Sequence, residues 1–131
     1  MAPGEPCPCG RRGKGQKPLA FGECCGPFLA GAGAPDAEAL MRSRYTAFVL
    51  GDESYLMATW HTTTRPEKAQ CEPGTKWLGL EVRDHSAVDG QHAEVEFVAR
   101  YRLAGRGARL HERSRFVKEA GRWYYVDGDL R

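Results

Sequence analysis

The sequence predicts an α+β protein, with helices packed on one face of a curved antiparallel sheet and a small N-terminal element that has no core of its own. Three observations carry that reading. Apolar residues recur at helical spacing between residues 36 and 65. From residue 77 the pattern changes to alternation broken by short glycine turns. Before residue 36 the chain is dominated by Gly and Pro, and four of its five cysteines lie there. Helices followed by an antiparallel meander sort into a helical layer on a sheet.

The 131 residues allow one domain and a small appendage. Charged residues make up 27% and the hydrophobic set 41%, ordinary values for a folded chain. A formal net charge of +2 is too small to argue for a dedicated nucleic-acid binder. No apolar run approaches the roughly 20 residues of a membrane span. The N-terminus, MAPGEPCPCGRRGKG, lacks the apolar stretch of a signal peptide. The expected protein is soluble and cytoplasmic.

Residues 1–35 contain eight Gly and six Pro, and only Phe21 and Phe28 as aromatics. Such a segment buries too little apolar surface to offset its ordering entropy, so something covalent or metallic must hold it. We place a unit boundary after Pro35, giving units 1–35 and 36–131. Asp36 is a natural N-cap, with Glu38 in the favoured first turn. Leu40, Met41, Tyr45, Phe48 and Val49 share one helical face, and Gly51 stops the helix. Asp52 caps a second helix carrying Tyr55, Leu56, Thr59 and Trp60, expected to run until Arg65-Pro66. Residues 66–75 read as a polar loop.

Residues 77–83 (WLGLEVR) read as a first strand. In the next, Ala93, Val95, Phe97, Ala99, Tyr101 and Leu103 alternate with Glu94, Glu96, Arg100 and Arg102, and Val98 is the exception. A turn is expected over 104–108 and a returning strand over 109–118, with Leu110, Glu112, Ser114 and Phe116 on one side. A second turn at Ala120-Gly121 leads to a final strand, 123–127.

Cys7-x-Cys9 and Cys24-Cys25 offer four thiolates. Zinc favours tetrahedral sulfur ligation, and one ion would tie two segments together and supply the folding free energy this element lacks. Its residual charge of −2 can be offset by Arg11, Arg12, Lys14 and Lys17. Gly10, Gly22 and Gly26 would let backbone amides turn toward the sulfurs. Two disulfides, or a redox dithiol, are the other uses of such cysteines. An intracellular setting disfavours the first, and the absence of C-x-x-C disfavours the second.

CPCG followed by ECCGPF resembles the SEC-C motif, a short zinc-binding element known from the C-terminus of the SecA preprotein translocase, where it serves protein contacts. Its four ligand positions fall on Cys7, Cys9, Cys24 and Cys25. The spacer between the second and third positions is long here, 14 residues, but the added loop-closure cost is only about half a kcal/mol. ALMRSRYTAF (39–48), YLMATWHTTTRP (55–66), WLGLEV (77–82) and VARYR…HERSRF (98–116) are similar to the YchJ family, also called UPF0225. The resemblance implies a SEC-C element joined to an NTF2-like cone, a bent sheet wrapped around helices. It implies no reaction.

Ionisable and aromatic residues that could line a pocket in such a cone are Arg42, Arg44, Trp60, His61, Glu96, Arg100, Glu112 and Asp127. Arginines suit bidentate anion binding, and a His–carboxylate pair suits proton transfer. Three uses compete. One is an adaptor in which the zinc knuckle meets a protein partner. The second is a small-molecule-binding or enzymatic pocket in the cone. The third is a ribosome or nucleic-acid contact through the basic N-terminal residues. The charges on the outer sheet face argue for a monomer. Cys71 reads as a bystander thiol.

Overall fold

Asp36 starts the principal helix as its position implies: its Oδ1 accepts a hydrogen bond from the Ala39 amide at 2.7 Å. Gly51 ends that helix in the left-handed region (φ 71°), where a side chain would be strained. The chain runs through a one-turn α1 (Gly26–Leu29), this long α2 (Ala37–Leu50), α3 (Glu53–Ala58) and four strands. The strands are β1 (Lys76–Ala87), β2 (His92–Leu103), β3 (Arg106–Glu119) and β4 (Arg122–Leu130). The computed structural model describes residues 1–69 and 71–131. The loop expected over 66–75 is irregular at its described positions, and Gln70 lies outside them.

The second helix is shorter than its spacing predicts. Asp52 caps it, accepting from the Tyr55 amide at 3.0 Å, but it ends at Ala58 rather than Arg65. Two backbone bonds to β4 compete with further helix: the Tyr125 amide donates to the Thr59 carbonyl at 2.8 Å, and the His61 amide donates to the Tyr125 carbonyl at 2.7 Å. The Tyr55 carbonyl accepts from both the Thr59 amide at 3.0 Å and the Thr59 hydroxyl at 2.8 Å, which closes the last turn. Trp60 and His61 are therefore on an extended segment laid along the sheet.

The sheet is an antiparallel meander in the order β1-β2-β3-β4. Its strands outrun the alternating segments of the sequence, because edge residues with no apolar partner are still held by the ladder. The turn expected over 104–108 contracts to Ala104-Gly105. Irregularities in register at Trp77/Gly79, Val82/Asp84 and Arg115/Phe116 bend the sheet. Val95, Phe97, Ala99, Ser114 and Phe116 face α2 and are buried. Val98, which breaks the alternation, is buried as well.

The N-terminal element folds as a hairpin. The Cys7 amide donates to the Leu19 carbonyl at 2.9 Å, Leu19 to Arg11 at 3.0 Å and Phe21 to Glu5 at 2.7 Å. The long spacer is the turn of that hairpin. The element does not swing free: Cys7, Cys9, Cys24 and Cys25 belong to the same buried cluster as Leu40, Met41, Val95 and Phe116. Among the described residues, no helix is long and apolar enough to cross a membrane.

Candidate metal centre

The hairpin brings Cys7 and Cys9 on its first arm against Cys24 and Cys25 at the end of its second. All four sulfurs lie within 4.8 Å of one another, and Cys9 Sγ and Cys24 Sγ are 3.5 Å apart. Thiolates held at about 2.3 Å around one tetrahedral ion would be about 3.8 Å apart. The donor set thus already has the dimensions of a four-sulfur metal site, and no pair in it is bonded as a disulfide. Cys9 and Cys25 are closed to solvent.

The protons of these thiols are unevenly shared. Hydrogen bonds from Cys25 and Cys9 hold Cys7 far below the ordinary thiol range, and the amides of Cys9 and Cys25 add to the effect. Cys25, the donor, is raised for the same reason. Burial pushes Cys24 up to about 12, and the charge of Cys9 adds to the rise. Cys7 is thus the most readily ionised of these three thiols, and a metal ligand must be ionised.

Helix α2 supports the cluster from the cone side. Arg42 donates from Nη1 to the Cys9 carbonyl at 3.0 Å and from Nε to Glu38 at 2.9 Å. Thr46, one turn on, sets its hydroxyl 3.8 Å from Cys7 Sγ. Thr46 escaped the sequence reading, though its i+4 relation to Arg42 on an otherwise apolar helix is the signal that could have found it. The flanking glycines act differently from expectation. The Gly10 amide bonds the Cys7 carbonyl at 3.1 Å rather than a sulfur. Gly26 is there for space, since a Cβ on it would meet the Phe21 carbonyl oxygen at 2.8 Å.

The expected pocket residues separate into two groups. Arg44, Trp60 and Glu112 line a cavity of about 250 Å³ between α2 and the concave sheet. Tyr125 lines it too and donates its hydroxyl to Glu112 at 3.2 Å. The others lie elsewhere. Arg42 is about 200° around the helix from Arg44 and faces the cysteines. Strand alternation turns Glu96 to the opposite face, where it meets His111 Nε2 at 2.9 Å. Arg100 reaches Glu81 at 3.8 Å, and Asp127 accepts from Arg115 Nε at 2.6 Å. His61 sits with Nε2 2.8 Å from Glu119 and Nδ1 2.7 Å from Thr63.

Within the cavity Arg44 is 6% exposed. Its Nη1 donates to the Leu56 carbonyl at 2.9 Å and to Thr59 Oγ1 at 2.7 Å. Its guanidinium lies 4.6 Å from the Tyr125 ring centroid and 5.2 Å from that of Trp60. Burial lowers its pKa to about 10, so it stays charged at neutral pH. Burial also raises Tyr125, and the neighbouring Glu112 carboxylate raises it further. Cys71, in the second and smaller apolar cluster with Leu56 and Ala69, is remote from the other cysteines.

A family model described as YchJ, middle NTF2-like domain, matches residues 36–128. The UPF0225 protein of Polaromonas sp. (strain JS666 / ATCC BAA-500) is 63% identical over 135 residues, spanning 100% of this chain and 97% of that protein. The UPF0225 protein of Cupriavidus metallidurans is 56% identical over 133 residues, spanning 96% and 89%. The solution structure of a SEC-C motif containing protein from Rhodopseudomonas palustris superposes with a TM-score of 0.83 at 35% identity, covering 97% of this chain and 99% of that one. The crystal structure of a SEC-C motif containing protein from Psychrobacter arcticus gives 0.80 at 30% identity, covering 97% and 83%.

Proposed function

This chain belongs to the YchJ (UPF0225) family, and from that premise we propose that it is a zinc-bound adaptor that meets a protein partner through its N-terminal knuckle. Cys7, Cys9, Cys24 and Cys25 are the ligands in this reading. A closed set of four thiolates suits zinc in a structural role, because no coordination position is left for chemistry. Residues 1–35 form the knuckle and 36–131 the NTF2-like scaffold, in a cytoplasmic monomer.

One observation carries the adaptor reading. The cysteine end of the hairpin is sunk into the core of the cone, while its turn stands out with Arg12, Lys14 and Lys17 exposed. A small cationic surface on a rigid base fits an acidic patch on a partner protein, since preorganisation lowers the entropic cost of association. Arg11 is less free, being 4.0 Å from Glu38.

Elemental analysis with thiol titration tests the first half. One zinc per chain, with four thiols shielded until a chelator is added, is the expected result. Metal-free protein with reactive thiols would overturn it. Affinity capture with wild type, Cys24→Ser and Lys14→Glu/Lys17→Glu tests the second half. Partners retained equally by all three would overturn the adaptor. Partners released by nuclease, with binding that falls steeply with salt, would point to nucleic acid or the ribosome instead.

A further inference from the structure

The cavity in the cone contains a charge that the metal centre does not use. Arg44 is 94% withdrawn from solvent, since only 6% of it is exposed. Among the described residues, no carboxylate lies within ion-pairing distance of it. A buried charge without a counter-ion is costly, and two aromatic faces with two neutral acceptors are weaker partners than a carboxylate. The one acid in the cavity, Glu112, acts on Arg44 through space without pairing with it, and is held by neutral donors. Its Oε1 accepts from Ser114 Oγ at 2.7 Å and from the Tyr125 hydroxyl at 3.2 Å. Gly128 on β4 makes room for it: a Cβ there would come within 2.6 Å of the Glu112 carboxyl carbon.

The rest of the lining is flat and apolar, with Tyr45, Phe48, Trp77, Phe97 and Phe116 among its walls. Its volume, about 250 Å³, is below the range of about 300–1,000 Å³ that holds drug-sized ligands, which limits the occupant to roughly one ring. Phe48, Trp77 and Leu110 also wall a neighbouring cavity of about 240 Å³ beside Cys71, Glu72 and Thr75.

We propose that this cavity is a binding site for a small aromatic monocarboxylate, its carboxylate on the Arg44 guanidinium and its ring among the aromatic walls. Such a ligand supplies the directly paired carboxylate that Arg44 lacks and fills apolar space in one step. It is proposed as a binding site, with no reaction assigned to it. The inference is independent of the knuckle's partner and of its metal.

The test uses the full-length protein with benzoate as probe and benzylamine as the control of opposite charge, followed by amide and indole NMR shifts. Benzoate should saturate and move the Trp60 and Trp77 indole signals, and benzylamine should not. Arg44→Met should weaken benzoate by at least about tenfold, the loss of a charge-assisted hydrogen bond. Because Arg44 also braces α3, a second variant keeps it: Ala99→Leu fills the cavity from β2 and should abolish benzoate binding while the remaining spectrum stays native. Saturating benzoate binding that neither variant alters, preference for benzylamine, or no indole shift with either probe would each overturn the proposal.

Discussion

Replacing Arg42 by Met keeps the aliphatic stem and removes the guanidinium that joins α2 to the knuckle. The Arg42 side chain is 14% exposed and donates to the Cys9 carbonyl at 3.0 Å. Cys9 has no exposed surface, and methionine offers its carbonyl no donor in place of the guanidinium. An acceptor stranded in this way costs about 1–3 kcal/mol. Losing the i,i+4 pair with Glu38 adds about 0.3–0.5 kcal/mol. Glu38 is not stranded in turn, because Arg11 and His85 remain 4.0 and 3.7 Å away. The total is about 2 kcal/mol, or about 6–10 °C in melting temperature for a chain of this size. Thermal unfolding by circular dichroism measures it, and the rate of metal release to a chromogenic chelator should rise in parallel. The decisive comparison is with Cys24→Ser. If Arg42 works by bracing the knuckle, its replacement should cost much less once the knuckle is already broken. An equal cost in both backgrounds would refute the coupling and assign the effect to the helix alone.

Gly26→Ala should cost about 1–3 kcal/mol, because its Cβ would press on the Phe21 carbonyl at 2.8 Å beside Cys25; melting and metal content should fall together. Acid should weaken the outer sheet face. The hydrogen bond from His111 holds Glu96 below its ordinary value, and that from Arg113 holds Asp84 below its own. Carboxylates with depressed folded-state values stabilise the fold above their unfolded values near pH 4, and this contribution disappears as the pH falls through the folded ones. Urea midpoints between pH 6 and 3 should drop, less steeply in Arg113→Met and in high salt; equal slopes would contradict the pairing.

Much of the fold was legible in the chain because local chemistry and final packing agree there. Asp36 and Gly51 bound α2 as capping rules require, and the alternation over 93–103 chose the buried face of β2 correctly. The second helix is shorter than its apolar spacing predicts because that spacing serves another use: Trp60 and Tyr125 meet ring to ring at 5.2 Å across a strand-like segment. Spacing cannot distinguish a helix from a segment paired with a strand more than 60 residues away. The candidate pocket shows the same division. Periodicity placed Glu112 on the inner face of β3, whereas the other seven candidates could not be divided between cavity and surface without the twist of α2 and the register of the sheet.

The composition of the cysteine set, the caps of α2, the strand faces and the lack of a separate core in the first 35 residues follow from the chain alone, because each depends on residue types at short separation. Long-range packing set the rest: the knuckle is sunk into the cone, Arg42 and Arg44 on one helix face different sites, and Arg44 lies buried without an ion-paired carboxylate among the described residues. Those facts depend on which distant segments share a volume, and burial sets the cost of a charge only once that volume is closed.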